Sequence, residues 1–417
     1  MDETRERSSR EAATPSAGAR LAGSDGLRAL AAASVFFHHV YLAGRPAGTP
    51  AFDLPGPMEQ FAVDFKFGLM LFFVLSGYLL FRPFAAAIVH GESLPDVRGY
   101  LRNRALRIAP AYWVILLITV FVLGTGAFGG GLGTPDFAPL VADALLLQNL
   151  HPDTVLTGIG PAWSLAVECV FYLVLPLLAM GALALGVRTR RPVAAVLAAP
   201  ALMIAIGLAS KLFMRFGLPA DSSWHFVAQT AFFTHADVLG YGMAAAVVHV
   251  LAVDGRLRLP ARWRPMTLGA GLVLILGAAS LKPWLGYSAG TPTDALAGAA
   301  FALLLIAVVL PRRDGALPAG TRLLELRPIV WLGTVSYSVY LWHVPLILLL
   351  REQGLEATGA RSTLVMAVAA GALTLALSAL TFRFVEAPAM ARKKRTSMPR
   401  LEPATASGLG MPAAAAS

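Results

Sequence analysis

The chain carries one cysteine, Cys169, which excludes an internal disulfide framework and any multi-cysteine metal site. A small apolar residue in a helix is the ordinary role of such a thiol. Charge is scarce too: 14% of residues are Asp, Glu, Lys or Arg against 57% hydrophobic, and the mean hydropathy is +0.66. That balance excludes a soluble globular domain and places the chain among integral membrane proteins. Acidic residues are the scarcer sign, 24 against 34 basic, for a formal charge of +10. The basic residues lie in short loops between apolar runs, with no aromatic-interleaved basic face, so they anchor loops and do not bind nucleic acid.

The first 24 residues lack an apolar stretch, so they are expected to be a disordered tail and not a signal peptide. The residues after Arg400 are rich in Ala, Ser and Pro, and 391–417 is expected to be a second disordered tail. One membrane domain, 25–390, lies between. It shows no internal repeat, which counts against a transporter built from two matching halves.

Apolar runs long enough to cross a bilayer occur near 25–44, 64–84, 108–128, 163–186, 193–214, 226–252, 266–281, 294–311, 329–350 and 362–385. The predicted fold is therefore an all-α bundle of about ten transmembrane helices. The connecting loops alternate in charge. One side collects the N-terminal tail, Arg82, Arg98, Arg102, Arg104 and Arg107, then Arg188, Arg190 and Arg191, then Arg256, Arg258, Arg262 and Arg264. Arg312, Arg313, Arg322, Arg327 and the basic run Arg392–Arg395 join them. The first and third connections carry only Arg45, and the third holds Asp136, Asp143 and Asp153. Both termini are thus expected in the cytoplasm, in a multi-pass protein of a bacterial inner or plasma membrane. The polar third connection, 129–162, is expected to cap the outer face.

Two polar residues stand out in the first run. Arg28 and His39 are eleven apart in LRALAAASVFFHHVYL, so a helix puts them on one stripe about 16 Å apart along the axis. An ionisable group in such a segment faces the protein interior or a wet cavity. His38 is turned about 100° from that stripe. Counting helical rise from the expected span ends, His39 and His343 each lie about 21 Å from the cytoplasmic face. Glu168 lies about 9 Å below the outer face, the same level in a core of about 30 Å. A histidine and a carboxylate brought together are the parts of a general base. Ser164 and Tyr172 share the face of Glu168, and Ser336 and Tyr340 that of His343, which makes the layer polar enough for a hydroxylated substrate.

A second cluster, YLRNRALRIAPAYW, puts Arg104 and Arg107 on one helix face at the level of Arg28. Guanidinium groups fork onto phosphate oxygens, and three at a pore mouth suit a diphosphate. The span up to His39 fits a pantetheine arm, which makes acyl-CoA the candidate donor. Each feature has a plainer reading: arginines at helix ends set topology, and intramembrane histidines hydrogen-bond between helices. The same buried layer would also serve a proton-coupled carrier of a glycolipid or small metabolite.

At these residues the chain resembles the acyltransferase-3 family of membrane acyltransferases. The matching pieces are SDGLRALAAASVFFHH, LMLFFVLSGYLLFRP, YLRNRALRIAPAYW, PAWSLAVECVFYLVLPLL, FFTHADVLGYGM, GTVSYSVYLWHVPL and FRFVEAPA, in the family's order. The resemblance implies an essential histidine eleven residues after the first-motif arginine, which selects His39, and functional roles for Arg104, Arg107 and Glu168. It implies transfer of an acyl group, most often acetyl, from acyl-CoA to a sugar hydroxyl of an envelope polysaccharide, glycolipid or glycosylated natural product. No permanently bound cofactor or metal is implied. One departure is Met70, where many members carry aspartate, and no extracytoplasmic hydrolase-like domain is expected.

The residues thus assign catalysis to His39 and Glu168, donor binding to Arg28, Arg104 and Arg107, and acceptor contacts to Ser164, Tyr172, Tyr340 and His343. A covalent acyl-histidine intermediate is compatible with the same residues. The partners are acyl-CoA, the hydroxylated acceptor and membrane lipid.

Overall fold

The computed structural model of the protein describes residues 21–43, 63–124, 137–219, 222–285, 290–311, 317–355 and 359–393. The expected tails lie almost wholly outside these residues, as do Arg45, Asp136, Arg312, Arg313 and Lys394. Among the described residues there is no strand, and the described part of each predicted span is helical, that at 226–252 as two helices that meet at Ala231. We number the long helices α1 (Ser24–Ala43), α2 (Gly68–His90), α3 (Val97–Ile118), α4 (Trp163–Thr189) and α5 (Pro192–Phe216). They continue as α6 (Phe232–Val253), α7 (Trp263–Ser280), α8 (Pro292–Val309), α9 (Arg327–Glu352) and α10 (Ala360–Thr381). Among the described residues, eight helices are long and apolar enough to cross a membrane, which makes this a multi-pass membrane protein.

The helices outside that eight are α1 and α7. Asp25, Arg28, His38 and His39 dilute the apolarity of α1. It tolerates them because α2, α9 and α10 pack around it, so its polar groups face protein and not lipid.

Glycines set the two closest crossings. A Cβ at Gly333 of α9 would stand 1.9 Å from the Asp25 carbonyl oxygen of α1. Between α2 and α6 the approach is reciprocal: a Cβ at Gly77 would meet the Leu239 oxygen at 2.1 Å, and one at Gly242 the Val74 oxygen at 2.1 Å. Small residues at helix interfaces let backbones approach this closely inside a bilayer.

A second device joins α5 to α6. Lys211 donates to Asp237 at 2.5 Å, with side-chain exposures of 2% and 0%, and also to the Thr234 carbonyl. Met70, at the position where relatives often carry aspartate, is buried in the main apolar core.

α3 begins at Asp96, whose carboxylate accepts from the Arg98 and Gly99 N–H groups at 3.1 and 2.9 Å. This cap fixes the helix start and with it the positions of Arg104 and Arg107. At the other end of the chain α10 runs through a π turn, Phe382–Glu386, into a short helix, Ala387–Ala391. The described part of the third connection is ordered. Tyr112 donates to the Asp143 carbonyl at 2.7 Å, and the Asn149 amide donates to the carbonyls of Trp163 and Thr230 at 2.8 and 2.9 Å.

Candidate active site

A cavity of about 130 Å³ opens among α1, α2, α3, α4 and α9. Arg28, Arg104 and Arg107 line it, as do Ser76, Ser164, Glu168, Tyr172, Ser336 and Tyr340. The three arginines therefore share one chamber with Glu168, Ser164, Tyr172, Ser336 and Tyr340 of the expected polar layer, but not with its two histidines.

Glu168 lies in the second turn of α4. Its carboxylate accepts from Ser76 of α2 at 2.5 Å and from Tyr172, one turn along its own helix, at 2.8 Å. Two hydroxyl donors fix its orientation. Ser164, one turn before Glu168, hydrogen-bonds Tyr340 at 2.7 Å, and Tyr340 donates to the Pro161 carbonyl at 2.8 Å.

His39 meets His343 and not Glu168. His343 Nε2 lies 3.2 Å from His39 Nδ1, and the ring centroids are 4.8 Å apart. The expected His39–Glu168 pairing is not the contact present, because α1 packs along α9 while α2 packs against both α1 and α4. His39 Nδ1 is also 2.9 Å from the Val35 carbonyl. A carbonyl oxygen only accepts, so that bond puts the proton on Nδ1 and leaves a lone pair on Nε2. His38 stacks edge-on against His39 at 5.2 Å. Neither His39 nor His343 lines the cavity. Tyr340 joins the two regions, since it lines the cavity and its ring sits 5.6 Å from that of His343.

Each of the three arginines has a different environment. Arg28 donates to Asp25 at 2.7 Å. Arg107 donates to the buried Glu386 at 2.9 Å and to Met390 Sδ at 3.1 Å, and lies over the Tyr337 ring at 5.5 Å. Glu386 also accepts from Ser338. The Nε of Arg104 is buried with no hydrogen-bond partner. Lys393 follows the short terminal helix, and burial, then the charges of Arg104, Arg107 and Arg28, push its ammonium down to about 8.

Ser76, Ser338, Glu386 and Lys393 were not assigned from sequence. Ser76 could have been found as the one hydroxyl in the apolar run LMLFFVLSG. Glu386 lies in FRFVEAPA, one of the pieces that carry the resemblance. Nothing local marks Lys393, which stands in a basic run that reads as a topology signal. Among the described residues no group of three or more His, Cys, Asp or Glu is placed to hold a metal.

Comparison with known proteins shows the family of the chain. The family model described as "Acyltransferase domain" matches residues 21–383. The chain is 26% identical over 389 residues to the peptidoglycan O-acetyltransferase OatA of Listeria monocytogenes, covering 87% of this chain and 55% of that protein. It is 26% identical over 330 residues to the exopolysaccharide production protein ExoZ of Rhizobium meliloti, covering 78% of this chain and 89% of that one. Over 167 residues it is 31% identical to the acyltransferase MdmB of Streptomyces mycarofaciens, covering 38% and 39% of the two chains. The chain spans about half the length of the Listeria relative. No solved structure matches.

Proposed function

The chain belongs to the family of membrane acyltransferases whose domain spans residues 21–383, and from that premise we propose that it is an O-acyltransferase. It moves an acyl group, acetyl in the first instance, from acyl-CoA to a hydroxyl of a carbohydrate, glycolipid or glycosylated natural product. One observation carries the reading: a single cavity is lined by the guanidinium groups of Arg28, Arg104 and Arg107 together with Glu168, Tyr172, Ser164 and Tyr340, and a histidine pair lies against Tyr340. The names of the Listeria and Rhizobium relatives, which refer to peptidoglycan and exopolysaccharide, support a glycan acceptor.

In this reading His39 Nε2 takes the proton of the acceptor hydroxyl as the oxygen attacks the thioester carbonyl. The tetrahedral intermediate collapses, the C–S bond breaks, and the imidazolium returns the proton to the departing thiolate. His343 orients the His39 ring. Glu168, fixed by Ser76 and Tyr172, faces the cavity, and Ser164, Tyr172 and Tyr340 contact the acceptor. The arginine-lined mouth and both termini face the cytoplasm, where acyl-CoA is found. A reporter fused after Lys393 should be active only on that side.

The test uses purified protein in lipid nanodiscs with acetyl-labelled acetyl-CoA and a panel of muropeptides and exopolysaccharide fragments. The expected result is label in a base-labile ester on one acceptor class. Absence both of coenzyme A binding and of transfer to any acceptor would overturn the assignment.

A further inference from the structure

The lining of the cavity changes character along α2 and α4. The two helices run in the same direction here, because Phe73 meets the Trp163 ring and, further along both, Ser76 meets Glu168. Phe72, Phe73, Ser164, Leu165 and Tyr340 form one end. There Phe72 stacks edge-on with Tyr340 at 5.9 Å, and Tyr340 hydrogen-bonds Ser164. The arginines lie at the other end. Arg107 rests on Tyr337, one turn nearer the start of α9 than Tyr340, and Arg28 pairs with Asp25, which touches Gly333. That end is the more accessible: the Arg28 side chain is 33% exposed, whereas Phe73 is 1% exposed.

Phe73 is held from behind. Its ring centroid lies 5.3 Å from that of His235 and 6.5 Å from that of Trp163, and the last two are 5.3 Å apart. Each member of this three-ring stack is anchored. His235 is buried and its Nε2 donates to the Gln229 carbonyl at 2.9 Å. The Trp163 carbonyl accepts from the Asn149 amide at 2.8 Å. Phe73 stands one turn before Gly77, where α2 and α6 approach so closely that a Cβ would meet the Leu239 oxygen at 2.1 Å. His235 and Trp163 belong to FFTHADVLGYGM and PAWSLAVECVFYLVLPLL, and neither has a part in the transfer step above. A close-packed interior of this kind yields little to an inserted group.

We propose that Phe73, backed by His235 and Trp163, is the stop that restricts the transferred acyl group to short chains. This deepens the function proposed above and rests on it. The acyl carbonyl has to reach the end of the cavity at Tyr340, because the His39–His343 pair lies against that side chain. The carbons beyond the carbonyl then fall among Leu69, Phe72, Phe73 and Leu165, the apolar lining of that end. The cavity measures about 130 Å³, whereas about 150 Å³ is needed for a single benzene molecule in a protein core. With the thioester in place, a chain of a few carbons meets a ring that cannot withdraw. Packing of an aromatic core, the plainer account, predicts that shortening Phe73 lowers stability and leaves the choice of acyl group unchanged.

The test compares acetyl-CoA, butyryl-CoA and hexanoyl-CoA as donors to the acceptor class that wild type acetylates, with protein in lipid nanodiscs at matched amounts. Wild type should use hexanoyl-CoA about tenfold less well than acetyl-CoA, or worse, in kcat/KM. Phe73→Ala should raise the hexanoyl-to-acetyl ratio about tenfold or more, and Phe73→Leu, which carries the test if the alanine variant does not fold, should raise it by less. His235 stands outside the cavity lining, yet His235→Ala should raise the ratio too by removing the support of Phe73, and His235→Phe, which restores a ring, should not. Equal use of the three donors by wild type would overturn the proposal and leave the acyltransferase reading in place. So would a Phe73→Leu protein that transfers acetyl with the wild-type ratio. Transfer of no acyl group by wild type would overturn that reading, and the stop with it.

Discussion

Gly333 of α9 lies so close to Asp25 of α1 that a Cβ would stand 1.9 Å from its carbonyl oxygen, and ten residues further along α9 His343 meets His39. The crossing and the histidine contact belong to the same pair of helices. Gly333→Ala should force the helices apart, at about 1 to 3 kcal/mol for overpacking. A lower unfolding midpoint is expected together with a larger fractional loss of transfer rate. Unchanged transfer in a protein of lowered midpoint would show that the crossing does not govern the histidines.

The two adjacent histidines should behave differently. His39 carries the Val35 and His343 contacts, so His39→Ala should lower the transfer rate by about two to four orders of magnitude. His38→Ala should stay within a packing effect. Transfer of labelled acetyl at matched protein levels measures both, and equal rates would remove His39 as the base.

Glu168→Gln keeps the shape of the side chain but places an amide N–H₂ against one of two hydroxyls that now donate to it. The loss of a charged acceptor corresponds to about 1.5 to 3 kcal/mol. It should appear in kcat, with the KM for acetyl-CoA unchanged. A rise in KM alone would move Glu168 from the reaction to donor binding.

The two arginines of α3 should separate stability from binding. Arg107→Gln strands the buried Glu386, which should cost about 3 to 5 kcal/mol of stability. Arg104→Gln strands no carboxylate and should unfold near the wild-type midpoint while losing donor affinity. Thermal unfolding and coenzyme titration of the two variants test this.

Asp143 sits in the connection between α3 and α4, where burial pushes its carboxyl up to about 7 against a hydrogen bond from Thr157 that opposes the shift. A carboxyl whose folded-state value is raised above its unfolded value of 3.8 stabilises the fold below that value. The contribution is lost as pH rises through about 7. Hydrogen exchange across residues 137–162 should therefore speed up between pH 5 and 8 beyond its intrinsic pH dependence, and Asp143→Asn should remove that excess.

Much of this arrangement was legible in the chain. Each span is visible because about twenty apolar residues must cover a bilayer core, and Arg28, Arg104 and Arg107 stand out because a charge there needs a reason. Helical rise put His39, His343 and Glu168 at one depth, but depth says nothing of which helix stands beside which. That is why the contact of His39 with His343, and of Glu168 with Ser76, came only from the packing. Glu386 was hidden for a related reason. A carboxylate at the end of the last span reads as a surface group until a π turn carries it under Arg107.

The Lys211–Asp237 pair bears on how the chain reaches its membrane. A lysine or an aspartate alone in a spanning helix disfavours insertion, most at the helix centre, and in α5 and α6 each is the other's direct partner at 2.5 Å. Emerging singly, α5 would carry an unmatched ammonium into lipid until Asp237 had been synthesised. Insertion of α5 and α6 together, as a hairpin, would keep the two charges matched throughout.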